Sequence, residues 1–231
     1  MKYLIQNQEI EIETNNKVFK PSVHDASTLG SSIKINKGET VLDVGTGTGL
    51  LAILAAKLGG IVSAADILPE AITLTQSNTK ANSVIIKTKV GDLLEKFKGE
   101  KFDVIIANLP QENLSPKIIS SSPEAVVTGM HGGKNGNEFL LKLLATAPEC
   151  MHAKSRLYVV AYSMSNYRET LKYITESYDA KLINFYSGPV KDYLYSDEEW
   201  YLTASQNGGI SIYKKDDKYF ADVFVFELRL K

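Results

Sequence analysis

The stretch Val41-Leu-Asp-Val-Gly-Thr-Gly-Thr-Gly-Leu50 decides the fold. A short apolar run carries one acid, Asp43, and then breaks into glycines at alternate positions, Gly45, Gly47 and Gly49. A helix-forming run from Leu50 to Leu58 follows at once. This order reads as a strand, a tight turn and a helix start, in which backbone N–H groups can approach a ligand closely. The helix N-terminus favours negative charge, and Asp43 at the strand end can accept from a ligand's amino group.

Outward from this stretch the pattern alternates between strand and helix. Strands are expected at 40–44, 61–65, 84–90, 102–107 and 156–161, with helices at 50–58, 69–82 and 137–153. Such alternation means a mostly parallel sheet covered on both faces. A further helix at about 165–177 leads to a strand near 180–187. Residues 188–210 hold a short helix, with Ser196 and Glu199 as a capping box and Gly208 at the C-terminal cap. Val223-Phe-Val-Phe-Glu-Leu228 is a strong last strand. If it runs antiparallel to 180–187, its connection lies over the carboxyl ends of the sheet, where ligands bind in open α/β sheets. Ahead of the core, residues 9–19 alternate loosely around Asn15-Asn16, the pattern of an N-terminal β-hairpin. The expected fold is α/β and Rossmann-like, with a mostly parallel seven-stranded sheet, an antiparallel last strand and helices on both faces. One domain is expected over 1–231: hairpin and entry segment 1–35, core 36–187, insertion 188–220 and last strand 221–231.

Composition narrows the function classes. Lys+Arg 26 against Asp+Glu 27 gives a formal charge of -1, so no global field draws the chain to nucleic acid or membrane. The small basic groups, Lys87/Lys89 and Lys214/Lys215/Lys218, have acids among or near them and read as solvated faces. Cys150 is the only cysteine, which excludes an intramolecular disulfide and gives no support for secretion. The first residues lack a sustained apolar region, and no apolar run reaches membrane-spanning length. A cytoplasmic protein is the expectation. No metal-ligand spacing is present: His24, His131 and His152 are far apart in sequence, and Cys150 and His152 fall on different faces of the expected helix.

The candidate site follows from the strand ends. A pocket with a helix N-terminus and an acid carries both signs of charge, which suits the amino-acid end of S-adenosylmethionine better than a pyrophosphate. Asp66, closing the second strand ahead of Pro69, can accept both hydroxyls of a ribose, or simply cap the helix. Asp92, ending the third strand, can accept from an adenine amino group, or cap a short helix over 92–97. The fourth strand ends in Asn108-Leu-Pro-Gln111. Leu109 precedes a proline and is pushed towards extended conformations, which aims its carbonyl and the Asn108 side-chain oxygen into the cleft. Two converging acceptors can hold an NH2 group by its protons and leave the nitrogen lone pair facing a methyl donor. The alternative is an Asn-capped turn with a proline stop.

These residues resemble a family. From about Val18 to Leu182 the chain looks like the class I S-adenosylmethionine-dependent methyltransferases. It looks most like the branch with an Asn-Pro-Pro-aromatic motif, which includes release-factor glutamine methyltransferases and several nucleobase amino-methyltransferases. The resemblance implies S-adenosyl-L-methionine as cofactor. Asp43, Gly45, Thr46, Gly47 and Gly49 stand as its first motif. Asp66 with Ile67 and Asp92 with Leu93 stand on its nucleoside side, and Asn108 and Pro21 border it. Asn108, Leu109, Pro110 and Gln111 stand as the catalytic motif. Val18-Phe-Lys-Pro21 with Asp25 resembles the segment that closes over the cofactor, and Gly132-Gly133 with Gly136 resembles the turn after the catalytic loop.

The motif departs from the family's at two positions: Leu109 still offers a carbonyl, but Gln111 removes an aromatic stacking face and can instead hydrogen-bond a polar group. Stacking is worth roughly 1–3 kcal/mol per base, so a nucleobase target is disfavoured. The expected activity is N-methylation of an amide or amino nitrogen on a protein. Alternatives are a small-molecule or nucleobase methyltransferase and a module that binds the cofactor without turnover; a nicotinamide oxidoreductase would not explain Asn108-Leu-Pro. Acceptor choice falls to the hairpin, the 112–136 loop or the insertion. The insertion's Tyr193, Tyr195, Trp200 and Tyr201 form either a lid or packing under a helix. The sequence specifies no oligomeric state.

Overall fold

A computed structural model describes residues 1–21 and 23–231, without the side chains of residues 23–26, so His24 and Asp25 lie outside the described residues. The chain starts with an antiparallel hairpin of β1 (Lys2–Ile5) and β2 (Gln8–Glu11). Its two-residue turn, Gln6-Asn7, has φ of 51° and 61°, the left-handed pair that matches strand twist. The hairpin expected around Asn15-Asn16 is therefore displaced towards the N-terminus. Asn15 instead accepts from the Lys17 and Val18 amides at 2.9 and 3.0 Å, a local turn that uses up its side chain. Helix α1 (Val23–Ser32) leads into the core.

The core alternates as its pattern predicts: β3 (Thr40–Val44), α2 (Leu50–Lys57), β4 (Ile61–Asp66), α3 (Pro69–Ala81), β5 (Ile86–Val90) and β6 (Phe102–Ala107). Three short helices follow: α4 (Pro116–Ser121), α5 (Glu124–Met130) and α6 (Glu138–Thr146). Then come β7 (Met151–Tyr162), α7 (Tyr167–Ser177) and β8 (Tyr178–Pro189). The chain closes with α8 (Glu198–Gln206), β9 (Tyr213–Lys215) and β10 (Lys218–Leu230). Sheet order is β5-β4-β3-β6-β7-β10-β8, with β9 paired to β10. The pairs from β5 to β7 are parallel, and β10 runs antiparallel to both β7 and β8.

Strand alternation divides the core between the two faces. Val41, Val104 and Ile106 pack with α2, Leu29 and the hairpin's Tyr3, Ile5 and Ile10. Leu42, Ile105 and Leu157 pack with Leu140, Leu143 and Ile174 on the other side. Helix α2 is buried from Leu50 through Ala55, so it is apolar nearly all round and sits inside the molecule.

Two expectations are corrected here. The helix predicted over 137–153 stops at Thr146; a 3-10 turn spans Ala147–Cys150 and β7 begins at Met151. Pro148 lacks an amide proton and cannot extend an α-helical ladder. Cys150 thus lies buried in the turn, while His152 sits on β7, 3.0 Å from Asp103. In the insertion, Ser196 does not cap α8: its hydroxyl donates to the Tyr193 carbonyl at 2.6 Å, and the capping position is Asp197, without a side-chain cap. Gly208, with φ of 76°, does end the helix, and its amide donates to Ser205.

Candidate active site

The glycine-rich turn between β3 and α2 is held from both sides. Gly45, Gly47 and Gly49 all have positive φ, of 71°, 56° and 85°. The Gly45 and Thr46 amides donate to the Ala65 carbonyl of β4 at 2.9 and 3.0 Å. A Cβ on Gly45 would stand 2.7 Å from Leu109 Cδ2, so this turn and the end of β6 are packed against each other. A Cβ on Gly49 would stand 2.9 Å from Thr75 Cγ2 of α3.

The acids at the strand ends brace this turn. Asp43 is buried and accepts from Thr46 Oγ1 at 2.7 Å and from the Ala52 amide at 3.1 Å. Burial pushes its carboxyl up to about 7, against the lowering effect of those hydrogen bonds. Asp66 accepts from the Gly47 amide at 2.9 Å and the Leu68 amide at 3.0 Å, and burial raises its pKa as well. Asp92 is more open and pairs with Lys142 of α6, so it does not cap the 3-10 turn that follows at Glu95–Phe97.

Above these residues opens a cavity of about 490 Å³, within the range of small-molecule sites. The residues assigned from the sequence to the first cofactor motif, its nucleoside side and the catalytic motif line it, except Gly49, which faces α3. Ile67 lies in its wall with 59% of its surface exposed, an apolar face open to a ligand. At the far end, Asn108 and Leu109 leave β6 beside the glycine turn. The Gln111 side chain is buried; its Nε2 donates to the Leu109 carbonyl at 3.4 Å and its Oε1 has no partner among the described residues.

Several lining residues were not apparent in the sequence. Buried Glu112 accepts from Lys191 Nζ at 2.5 Å and from the Tyr193 hydroxyl, both from the insertion. Lys191 Nζ also sits 5.3 Å from the centre of the Phe19 ring. His131, which the sequence marked only as distant from the other histidines, lines the cavity with its Nδ1 3.3 Å from the Glu112 carbonyl. The only signal for Glu112 was its place directly after Gln111. The insertion's aromatics mostly pack: Tyr201 is fully buried, Trp200 meets it edge-on at 4.9 Å, and both join Leu114, Ile118 and Met130 in a small core.

Known proteins match the same segments. Residues 27–131 match the family model described as Ribosomal protein L11 methyltransferase (PrmA). A candidate protein N5-glutamine methyltransferase of Methanocaldococcus jannaschii is 29% identical over 173 residues, 73% of this chain and 84% of that protein. A ribosomal protein L11 methyltransferase of Desulforamulus reducens is 41% identical over 102 residues, 43% of this chain but 32% of its own length, so the chain spans about a third of that relative. Among solved structures, a methyltransferase from Pyrococcus furiosus shares the fold at a TM-score of 0.59 and 18% identity, covering 94% of this chain and 88% of that one. No helix among the described residues is long and apolar enough to cross a membrane. The methyltransferase likeness runs through both the glycine turn and the end of β6, and the fold is the one that the solved methyltransferase shares.

Proposed function

We propose that the chain transfers a methyl group from S-adenosylmethionine to an amide or amino nitrogen of a protein. The observation that carries this reading is the packing of Leu109 against Gly45, which sets the Asn108-Leu109-Pro110 turn and the glycine turn on one cavity.

The lining fits the cofactor chemically. Gly47 has open space where a Cβ would stand, so the backbone there is accessible, and Asp43 lies beneath it to face an amino group. Asp66 is the ribose acceptor, Asp92 the acceptor on the adenine side, and Ile67 and Leu93 are apolar walls for a flat base, with Pro21 bordering the site. When bound, S-adenosylmethionine supplies a methyl group on a sulfonium, open to in-line displacement.

The chain's own contribution is alignment. Asn108 Oδ1 and the Leu109 carbonyl accept the two protons of an NH2 group, so its lone pair is held in one direction. Fixing that direction converts an encounter into a positioned reaction. The same two dipoles oppose the positive charge that develops on the nitrogen. A protein acceptor agrees with the names of the relatives that match these segments.

The test is transfer of label from methyl-tritiated S-adenosylmethionine into an undermethylated lysate, separated into protein, nucleic acid and small molecules. Label in protein, lost with Asn108→Ala while cofactor affinity stays within a few-fold, is the expected result. Label in another fraction, or an Asn108→Ala variant that transfers normally, overturns the reading.

A further inference from the structure

The acids that line the cavity are engaged within the chain. Asp43 holds Thr46 and Ala52, Asp66 holds Gly47 and Leu68, Asp92 holds Lys142, and Glu112 holds Lys191 and Tyr193. One acceptor stands apart: Gln111 Oε1, which is buried at the cavity wall and has no hydrogen-bond partner among the described residues. Buried polar atoms are nearly always paired, and the exceptions in a folded chain call for a cause. The other half of the same carboxamide is held by a long bond, 3.4 Å from Nε2 to the Leu109 carbonyl, so little resists its turning towards the cavity.

We infer that Gln111 is a specificity-determining residue, whose carboxamide oxygen accepts a further N–H that the methyl acceptor carries beside its reacting NH2 group. This rests on the reaction proposed above and names what that site selects. Gln111 occupies the position where an aromatic side chain would offer a stacking face, and a carboxamide offers a directed acceptor instead. With Asn108 Oδ1 and the Leu109 carbonyl, it makes a third acceptor at one end of the cavity. Two of these acceptors take the protons of the reacting NH2, so such a site favours an acceptor with another N–H close by to fill the third. It disfavours an acceptor with no second donor beside the reacting nitrogen, because that leaves the buried oxygen unpaired.

Two variants test the inference: Gln111→Met, which keeps the bulk and removes the acceptor, and Gln111→Glu, which keeps an acceptor oxygen in a side chain of the same shape. Three quantities are compared with the parent chain: melting temperature without ligand, S-adenosylhomocysteine affinity by calorimetry, and label transfer to lysate protein. Gln111→Met is expected to melt higher, by about 2–4 °C as the unpaired oxygen is removed. It should bind S-adenosylhomocysteine within about twofold and lose transfer by about tenfold or more, with Gln111→Glu transferring better than Gln111→Met. A methionine variant that melts lower, or transfers within about twofold of the parent, overturns the inference. A parent chain that binds the cofactor and labels no protein overturns the proposed reaction instead, and the melting comparison then decides alone whether Gln111 Oε1 is unpaired.

Discussion

Asp43 is the residue on which most of the cavity floor depends. Its carboxylate ties Thr46 of the turn to the first turn of α2, and it does so from a fully buried position. Burial raises its folded pKa from 3.8 to about 7, with the neighbouring Asp66 adding to the rise. In the unfolded chain the group titrates near its ordinary value. Between about pH 4 and 7 the folded state therefore holds more protons than the unfolded state, and stability due to Asp43 falls as pH rises. Asp43→Asn carries no such proton. The stability of the parent relative to Asp43→Asn should then be greatest near pH 4, decline through neutrality and level off above it. Urea midpoints of both chains across that range check this; a difference that does not change with pH would show that Asp43 is ionised throughout. At this scale the sequence was informative, because an acid, alternating glycines and an Asn-x-Pro strand end are each unusual where they stand. Glu112 and Lys191 were not legible, since an ordinary acid and an ordinary lysine 79 positions apart announce no pairing.

At the scale of elements, α3 does more than cover the sheet. Asn78 and, one turn on at the C-terminal cap, Asn82 both lie buried and act as surrogate backbone for the end of β2 and the residues after it. Asn78 accepts from the Glu13 amide at 2.8 Å and donates to the Glu13 and Thr48 carbonyls at 3.1 and 2.9 Å. Asn82 accepts from the Glu11 amide at 3.0 Å and donates to the Glu11 carbonyl at 2.6 Å. The hairpin segment is thus joined to the core by side-chain amides, and through Thr48 to the glycine turn. Asn78→Ala strands three backbone groups, of which the Thr48 carbonyl has the least access to water. The loss should be about 1–3 kcal/mol of unfolding free energy, read from urea denaturation, with weaker S-adenosylhomocysteine binding as the turn loosens. An unchanged midpoint would mean that water replaces all three bonds. Helix α3 itself was legible to within a residue from its apolar spacing and Pro69. Its two buried asparagines were not, because their partners come from a segment more than sixty residues away. The displaced hairpin has a similar cause: Asn15-Asn16 is the stronger turn signal, but Tyr3, Ile5 and Ile10 reach the core only when the turn falls at Gln6-Asn7.

Across the whole molecule, the antiparallel β10 was legible from its apolar run, and with it the route of the insertion over the carboxyl ends of the sheet. What the insertion holds there follows only from the fold. Lys191 and Tyr193 converge on Glu112, and Lys191 also lies over Phe19, so the insertion, the loop after β6 and the entry segment meet at one point of the cavity roof. The two ends of the ion pair are not equivalent. Glu112 is buried, whereas the Lys191 side chain keeps 38% of its surface exposed and regains water easily when its partner is removed. Lys191→Met should therefore lower stability by about 1–3 kcal/mol, the cost of a buried acceptor stripped of a charged partner. Glu112→Gln should cost less, because a carboxamide still accepts from Tyr193 and carries no charge to bury. With both substitutions present, the methionine no longer faces a buried charge, and the double variant should be more stable than the sum of the single losses allows. Urea unfolding of the four chains gives the coupling directly, expected at about 0.5–3 kcal/mol. Strictly additive losses would mean that Lys191 and Glu112 act independently, and that their ion pair does not join the insertion to the loop after β6.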